Sequence, residues 1–318
     1  MVDTIRGYIV LNDKDRNRIR NLINDSTLIK NNYGYVTIKN VSNFKITIKF
    51  DDKRIPYRLY FQGSLSRFYF GNNFEILSQK EILEAVNALS KKLNIHLKRA
   101  LLTRVDFCYN IEVKYPVNEY LSCLLNFPRL ECQRHPHSVL FYSKYSNSIT
   151  FYDKVKESID NHKKTFDILP NGYSEKHIMR YEIRFKSNLK RKFKLKKNLK
   201  VRHIYRKSVL GIAKQNSDKY YKKVIKINPT NNCDISDLLN ERNGLLLYLS
   251  FHGIKKLGYS YIKSIINSHN LTTKNPQVKR SKLINQVNQI LIKGNNVALD
   301  KDLIGELGLS HKVCKLKK

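Results

Sequence analysis

Alternation of apolar and polar side chains dominates the first third of the chain. TIRGYIVL, YVTIK, FKITIKF and YRLYFQG carry β-branched and aromatic residues in near alternation, interrupted by Asn, Asp and Gly. A period of two sends successive side chains to opposite faces, so these segments predict strands joined as hairpins. The period changes at Ser78. Ile82, Leu83, Val86, Leu89 and Leu93 recur at three- and four-residue steps behind Ser78 and Glu81, a capping box that opens a helix. A strand follows in ALLTRVDFCYNIEV, then Pro116 and a second helix around 118–126. SVLFYSKY, SITFYDKV and, after a polar loop, HIMRYEIRFK read as further strands. This order predicts an α+β fold, an antiparallel sheet with helices packed on one face.

Beyond Ser187 the pattern becomes helical and basic. Between Arg184 and Val224 there are sixteen Lys or Arg and one acid, Asp218. Helices are expected over 235–254, 259–269 and 278–292, the last ending at Gly294, with HKVCKLKK as a frayed tail. A boundary near residue 200 divides an α+β unit, 1–200, from a helical, basic unit, 201–318.

Charge narrows the partners. Across 318 residues, 60 Lys and Arg against 26 Asp and Glu leave a formal charge of +34, far more than solubility requires. A polyanion, in practice nucleic acid, is the expected partner. No apolar run reaches the roughly 18 residues that span a bilayer, and MVDTIRGYIVLND lacks a leader's apolar core, so the expected location is cytoplasmic, with no membrane contact. Five scattered cysteines without a Cys-x-x-Cys pair suggest neither a disulfide framework nor a thiolate zinc site.

Three strand-like segments place charges among apolar residues. LLTRVDFCY holds Arg104 and Asp106, ITFYDKVKE holds Tyr152, Lys154 and Glu157, and MRYEIRFK holds Arg180, Glu182 and Arg184. On a strand, residues two apart share a face, so Arg104 joins Asp106, Tyr152 joins Lys154, and Arg180, Glu182 and Arg184 form a third row. Each row alone could be a set of cross-strand salt bridges on a solvated face. Three together favour a site, because charges on apolar strands are costly unless paired or ligating a metal. Asp106, Glu182 and Glu157 would supply hard oxygen ligands for Mg²⁺ or Mn²⁺.

TRVDFCYN, ITFYDKVKES and MRYEIRFKSNLK, in that order, resemble the motifs of the filamentous-phage gene II/gene X replication proteins and related plasmid rolling-circle initiators. The shared pattern is Arg-(Ile/Val)-Asp, Tyr-x-Lys-x-x-Glu, then Arg-x-Glu-x-(Arg/Lys), and it covers about the first 200 residues. The resemblance implies a strand-specific DNA endonuclease and joining enzyme. It would cut a replication origin, become linked to the 5′ phosphate and leave a 3′ hydroxyl for a polymerase. Carried over, the nucleophile falls on Tyr152, with Lys154, Arg104 and Arg180 beside it, and the acids on Asp106, Glu182 and Glu157.

The chemistry agrees with that assignment. A phenol has an unperturbed pKa near 10, so a neighbouring cation such as Lys154 or a metal would be needed to activate it. Tyr142 and Tyr145 are alternative nucleophiles. His135-Pro136-His137 has the spacing of a metal-binding pair, but the central proline suits an exposed turn better than a strand. The basic stretch at residues 186–200 reads as a strand or arm along the DNA backbone. With Arg184 it offers Lys186, Lys190, Arg191, Lys192, Lys194, Lys196 and Lys197 as phosphate contacts. The expected partners are origin DNA, single- and double-stranded, with a host helicase and polymerase behind it. Rival readings are a relaxase-like mobilisation protein and a non-enzymatic DNA-binding regulator.

Overall fold

The computed structural model describes residues 2–20, 23, 29–31, 34–143, 147–165, 172–226, 243–294 and 303. The chain forms two compact units, one of residues 1–114 and 129–221, the other of 115–128 and 222–318.

The first unit is built on a ten-stranded sheet in which every neighbouring pair is antiparallel. Its strands are β1 (Val2–Val10), β2 (Ile29–Asn31), β3 (Gly34–Val41), β4 (Phe44–Phe50), β5 (Pro56–Ser64), β6 (Leu101–Val113), β8 (Glu131–His135), β9 (Ser138–Tyr142), β10 (Ser148–Asp153) and β11 (His177–Phe185). The spatial order is β2-β3-β4-β5-β1-β6-β11-β10-β9-β8. Thus β1, first in the chain, sits near the middle, flanked by β5 and β6.

Helices of this unit are α1 (Asp13–Arg18), α2 (Leu65–Phe70), α3 (Gln79–Lys92), α5 (Lys154–Thr165), α6 (Leu189–Lys192) and α7 (Lys207–Lys223), the last running to the unit's end. The capping box foreseen at Ser78 and Glu81 opens α3, which buries Ile82, Ala85, Val86 and Leu89. One sheet face is a dry core. Val105 and Phe107 on β6, Phe151 on β10, and Tyr181, Ile183 and Phe185 on β11 are all without exposed surface. Phe151 stacks on Tyr181 at 4.8 Å, Tyr221 of α7 meets Tyr181 edge-on at 5.4 Å, and the Tyr181 hydroxyl donates to the Ser217 carbonyl at 2.9 Å. Satisfying that buried hydroxyl lets α7 seal an aromatic core without a stranded polar group.

The second unit contains α4 (Val117–Cys123), β7 (Leu124–Asn126), β12 (Ile225–Lys226) and the helices α8 (Gly244–Leu257), α9 (Tyr259–Ser268) and α10 (Pro276–Gly294). Phe251, Ile254, Tyr259 and Leu291 form its core, with Leu125 against them.

Several elements differ from the pattern. The helix expected to run to residue 126 stops at Cys123, and β7 pairs with β12 instead. The strand expected over SITFYDKV ends at Asp153. The Asp153 carboxylate accepts from the backbone amides of Val155 and Lys156 at 3.1 and 3.0 Å, which caps α5 and puts Lys154 and Glu157 on a helix. The basic stretch is neither a strand nor a free arm, since Leu189, Phe193 and Leu199 are buried and pin it to the fold. The strand β8 was not foreseen. The helix expected from 235 begins, among the described residues, at Gly244, while Tyr145 and the tail HKVCKLKK lie outside them.

Candidate active site

The face opposite the aromatic core gathers the charges. Cross-strand register puts Tyr152 beside Arg180, Arg180 beside Asn110, Glu182 beside Cys108, and Arg184 beside Asp106. Side chains directly opposite share a face, so Tyr152, Arg180, Glu182, Arg184, Asp106 and Arg104 all project from the same side. The alternation read from the sequence therefore holds for Arg104 with Asp106 and for Arg180, Glu182 and Arg184, but not for Tyr152 with Lys154, which stands on α5 beyond the end of the strand.

Asp106 has no exposed surface and is clamped by two guanidiniums. The Nε of Arg104 donates to Oδ1 and Oδ2 at 2.8 and 3.0 Å, its Nη2 also donates to Oδ2, and Arg184 Nε donates to Oδ2 at 3.2 Å. Such a fork-shaped contact fixes the carboxylate and its partners rigidly. Arg184 reaches on to Glu182 Oε1 at 3.5 Å. Burial first, then the charges of Asp106 and Asp3, push the Glu182 carboxyl up to about 7, against the opposing pull of Arg180 and Arg184. Its other oxygen, Oε2, lies 3.5 Å from the Tyr152 hydroxyl, which donates to it.

Beneath Tyr152 lies a second charged layer. Arg180 is fully buried, donates to the Asn73 carbonyl at 2.5 Å, and holds Asp3 with Nη2 2.9 Å from Oδ2. Burial raises the Asp3 carboxyl, but Arg180 and the hydrogen bond from Ser64 outweigh it and hold the group below its usual range. Lys154, likewise without exposed surface, pairs with Glu157 at 2.5 Å and lies 5.0 Å from the Phe74 ring centre and 6.0 Å from that of Tyr152. Burial, then Arg180, pull its ammonium down, and Glu157 partly restores it. Lys154 thus meets the face of the phenol ring rather than its hydroxyl. Burial also raises the Tyr152 phenol well above its ordinary value, with Arg180 opposing and Glu182 and Glu157 adding to the rise.

These groups border a cavity of about 580 Å³. Tyr152, Glu157, Glu182 and Arg184 line it, whereas Lys154, Arg104, Arg180 and Asp106 do not. His135, Pro136 and His137, at the turn between β8 and β9, line it as well, with Thr150, Asp153 and Asp160. The turn expected there is present, and the structure adds that it opens onto the site. Sequence reading missed Asp3 and Asp160; an acid among the apolar residues of VDTIRGYIV was the only signal for the first.

Of the three acids expected to bind a metal, Glu157 and Glu182 line the cavity, whereas both oxygens of Asp106 are engaged by Arg104 and Arg184. Among the described residues no three of His, Cys, Asp and Glu are grouped to hold a metal ion.

A family model for the N-terminal region of a replication-associated protein, the gene II product, matches residues 1–207, a span that takes in the whole cavity wall and the charged layer behind it. The chain belongs to this filamentous-phage gene II-like family of replication initiators. No curated protein and no solved structure matches it. In this replication initiator no helix among the described residues is long and apolar enough to cross a membrane. Of the basic residues singled out in the initiator's sequence, Lys186, Lys190, Arg191, Lys194, Lys196 and Lys197 are exposed or half-buried at the surface. Lys192 instead turns inward to the side chains of Asn147 and Ser187 and over the Phe185 ring, and burial lowers its ammonium. Tyr142, the alternative nucleophile among the described residues, is on β9 opposite Ser148, four residues along from the Ser138–Tyr152 pair, and it does not line the cavity.

Proposed function

We propose that this initiator nicks and rejoins one DNA strand at an origin through a covalent link between Tyr152 and the 5′ phosphate. The observation that carries the reading is Tyr152 on the wall of an open cavity, its hydroxyl 3.5 Å from a carboxyl with a pKa raised to about 7. A phenol pushed up by burial needs a base close by, and a carboxyl poised near neutrality is suited to take its proton. In the nicking step the Tyr152 oxygen bonds to phosphorus, its proton passes to Glu182, and the bond from phosphorus to the 3′ oxygen breaks. The leaving oxygen is protonated from solvent at the cavity mouth. Arg184, on the same wall, balances charge on the phosphate. The arginine clamp on Asp106 keeps Arg184 in place, while Lys154 and Arg180 act as positioning residues behind Tyr152. The phosphotyrosine retains the energy of the broken bond, so attack by a 3′ hydroxyl reseals the strand.

Incubation with a single-stranded origin oligonucleotide tests the reading. The parent forms a protein–DNA adduct that survives denaturation, and Tyr152→Phe forms none while binding the oligonucleotide as the parent does. An adduct of normal yield in Tyr152→Phe would overturn the assignment.

A further inference from the structure

The same sheet face continues past the arginine clamp onto β1, β5 and β4, where no function has yet been assigned. Arg6 stands opposite Arg104 on one side and Gln62 on the other, and Gln62 stands opposite Lys45, so a polar file crosses four strands. One step along the strands, Tyr8 faces Tyr60 with ring centres 5.6 Å apart. The guanidinium of Arg58 lies 4.8 Å from the Tyr8 ring centre and donates to the Tyr60 hydroxyl at 3.0 Å, and the Lys49 ammonium lies 5.5 Å from the Tyr60 ring centre. Both rings are half-buried, whereas Arg6, Lys45 and Gln62 are exposed.

Charge complementarity names the occupant. β3, β4 and β5 contain no acidic residue, and the single acid of β1, Asp3, is buried against Arg180. Rings held by guanidinium and ammonium groups are already ordered, so stacking by a base costs the protein little further side-chain freedom. Aromatic rings interleaved with cations on an open sheet suit unpaired bases with their phosphates, because every base has a face to stack and no base-pairing edge is read. A duplex hides those faces. Counting strands and residues, the platform lies roughly 30 Å along the strands and about 14 Å across them from Tyr152.

Resting on the reading that DNA is the substrate, we propose that the Tyr8–Tyr60–Arg58 platform is a second DNA site, which holds single-stranded DNA flanking the scissile phosphate and passes it across Arg6 and Arg104 to the cavity. The platform grips the strand by stacking, and the arginine file carries its phosphates.

The test uses the full chain and a fluorescein-labelled oligothymidylate, with a hairpin duplex as comparison. A Tyr8→Leu, Tyr60→Leu variant is expected to bind the oligothymidylate roughly tenfold or more weakly, a phenylalanine pair to stay within about threefold of the parent, and hairpin binding to be unchanged. In the unaltered protein, 5-iododeoxyuridine in the oligonucleotide should crosslink to Tyr8 or Tyr60, a readout independent of how the variants fold. Parent-like affinity in a folded leucine pair, an equal loss on the hairpin, or crosslinks confined elsewhere would each overturn the proposal. Tyr152→Phe separates the two readings. Adduct formation by Tyr152→Phe with the platform still binding sinks only the nucleophile assignment, and normal nicking by a leucine pair that binds fully sinks only the platform.

Discussion

Glu182 links the ionisation of the site to its chemistry. Its carboxyl, ordinarily near 4.5, is raised to about 7 by burial and by Asp106 and Asp3, so the folded chain holds that proton more tightly than the unfolded chain does. The stability this supplies is complete below pH 4.5 and is lost as pH climbs through about 7. Glu182→Gln should therefore flatten the decline in melting temperature that the parent shows across that interval, measured by calorimetry at several pH values. The same variant should lose the rise in adduct formation near neutrality and slow it by roughly 10²- to 10⁴-fold, the usual worth of a general base. Arg180 tests the layer beneath. Arg180→Met leaves Asp3 buried without its cation and should cost about 3–5 kcal/mol in denaturant unfolding. The neighbouring Arg104 and Arg184 cannot compensate, because Asp106 already engages both.

Among elements, the strand-to-helix junction at Asp153 decides where Lys154 and Glu157 stand. Asp153→Ala removes the cap of α5 and should lower stability by about 1 kcal/mol, with a fall in adduct yield as Lys154 and Glu157 lose their anchorage. This junction was not legible in SITFYDKV, whose alternation runs straight through the point where the carboxylate stops the strand. Where one face is buried and the other polar, as in FKITIKF and in HIMRYEIRFK, a period of two named both the strand and the side on which the charges project. β8 escaped notice for the opposite reason. ECQRH lies at the sheet edge with nearly every side chain in solvent, so it needs no apolar alternation, and its link to the cavity through His135 could not be read. Candidate residues were legible as rows. The partners that divide them into cavity wall and supporting layer come from β1 and from the loop bearing Asn73, remote in sequence.

At the scale of the molecule, a charge of +34 predicts that DNA affinity falls steeply as salt rises, since each phosphate neutralised releases a counterion. Alanine at Lys190, Arg191 and Lys194 together should make the slope of log affinity against log salt shallower in anisotropy titrations, by about one unit for each phosphate no longer neutralised. Lys192→Ala should leave that slope alone and lower the melting temperature instead, because its ammonium is spent on Asn147 and Ser187. The placement of β1 near the centre of the sheet also governs how the chain is made. Its first partner, β5, ends at Ser64 and its second, β6, at Val113, so this strand, once off the ribosome, must wait for about a hundred more residues before both edges are covered. At ordinary translation speeds that wait is roughly 5–20 s. Until then the nascent strand offers unpaired amides and carbonyls to any other extended chain nearby, an edge open to mispairing during synthesis.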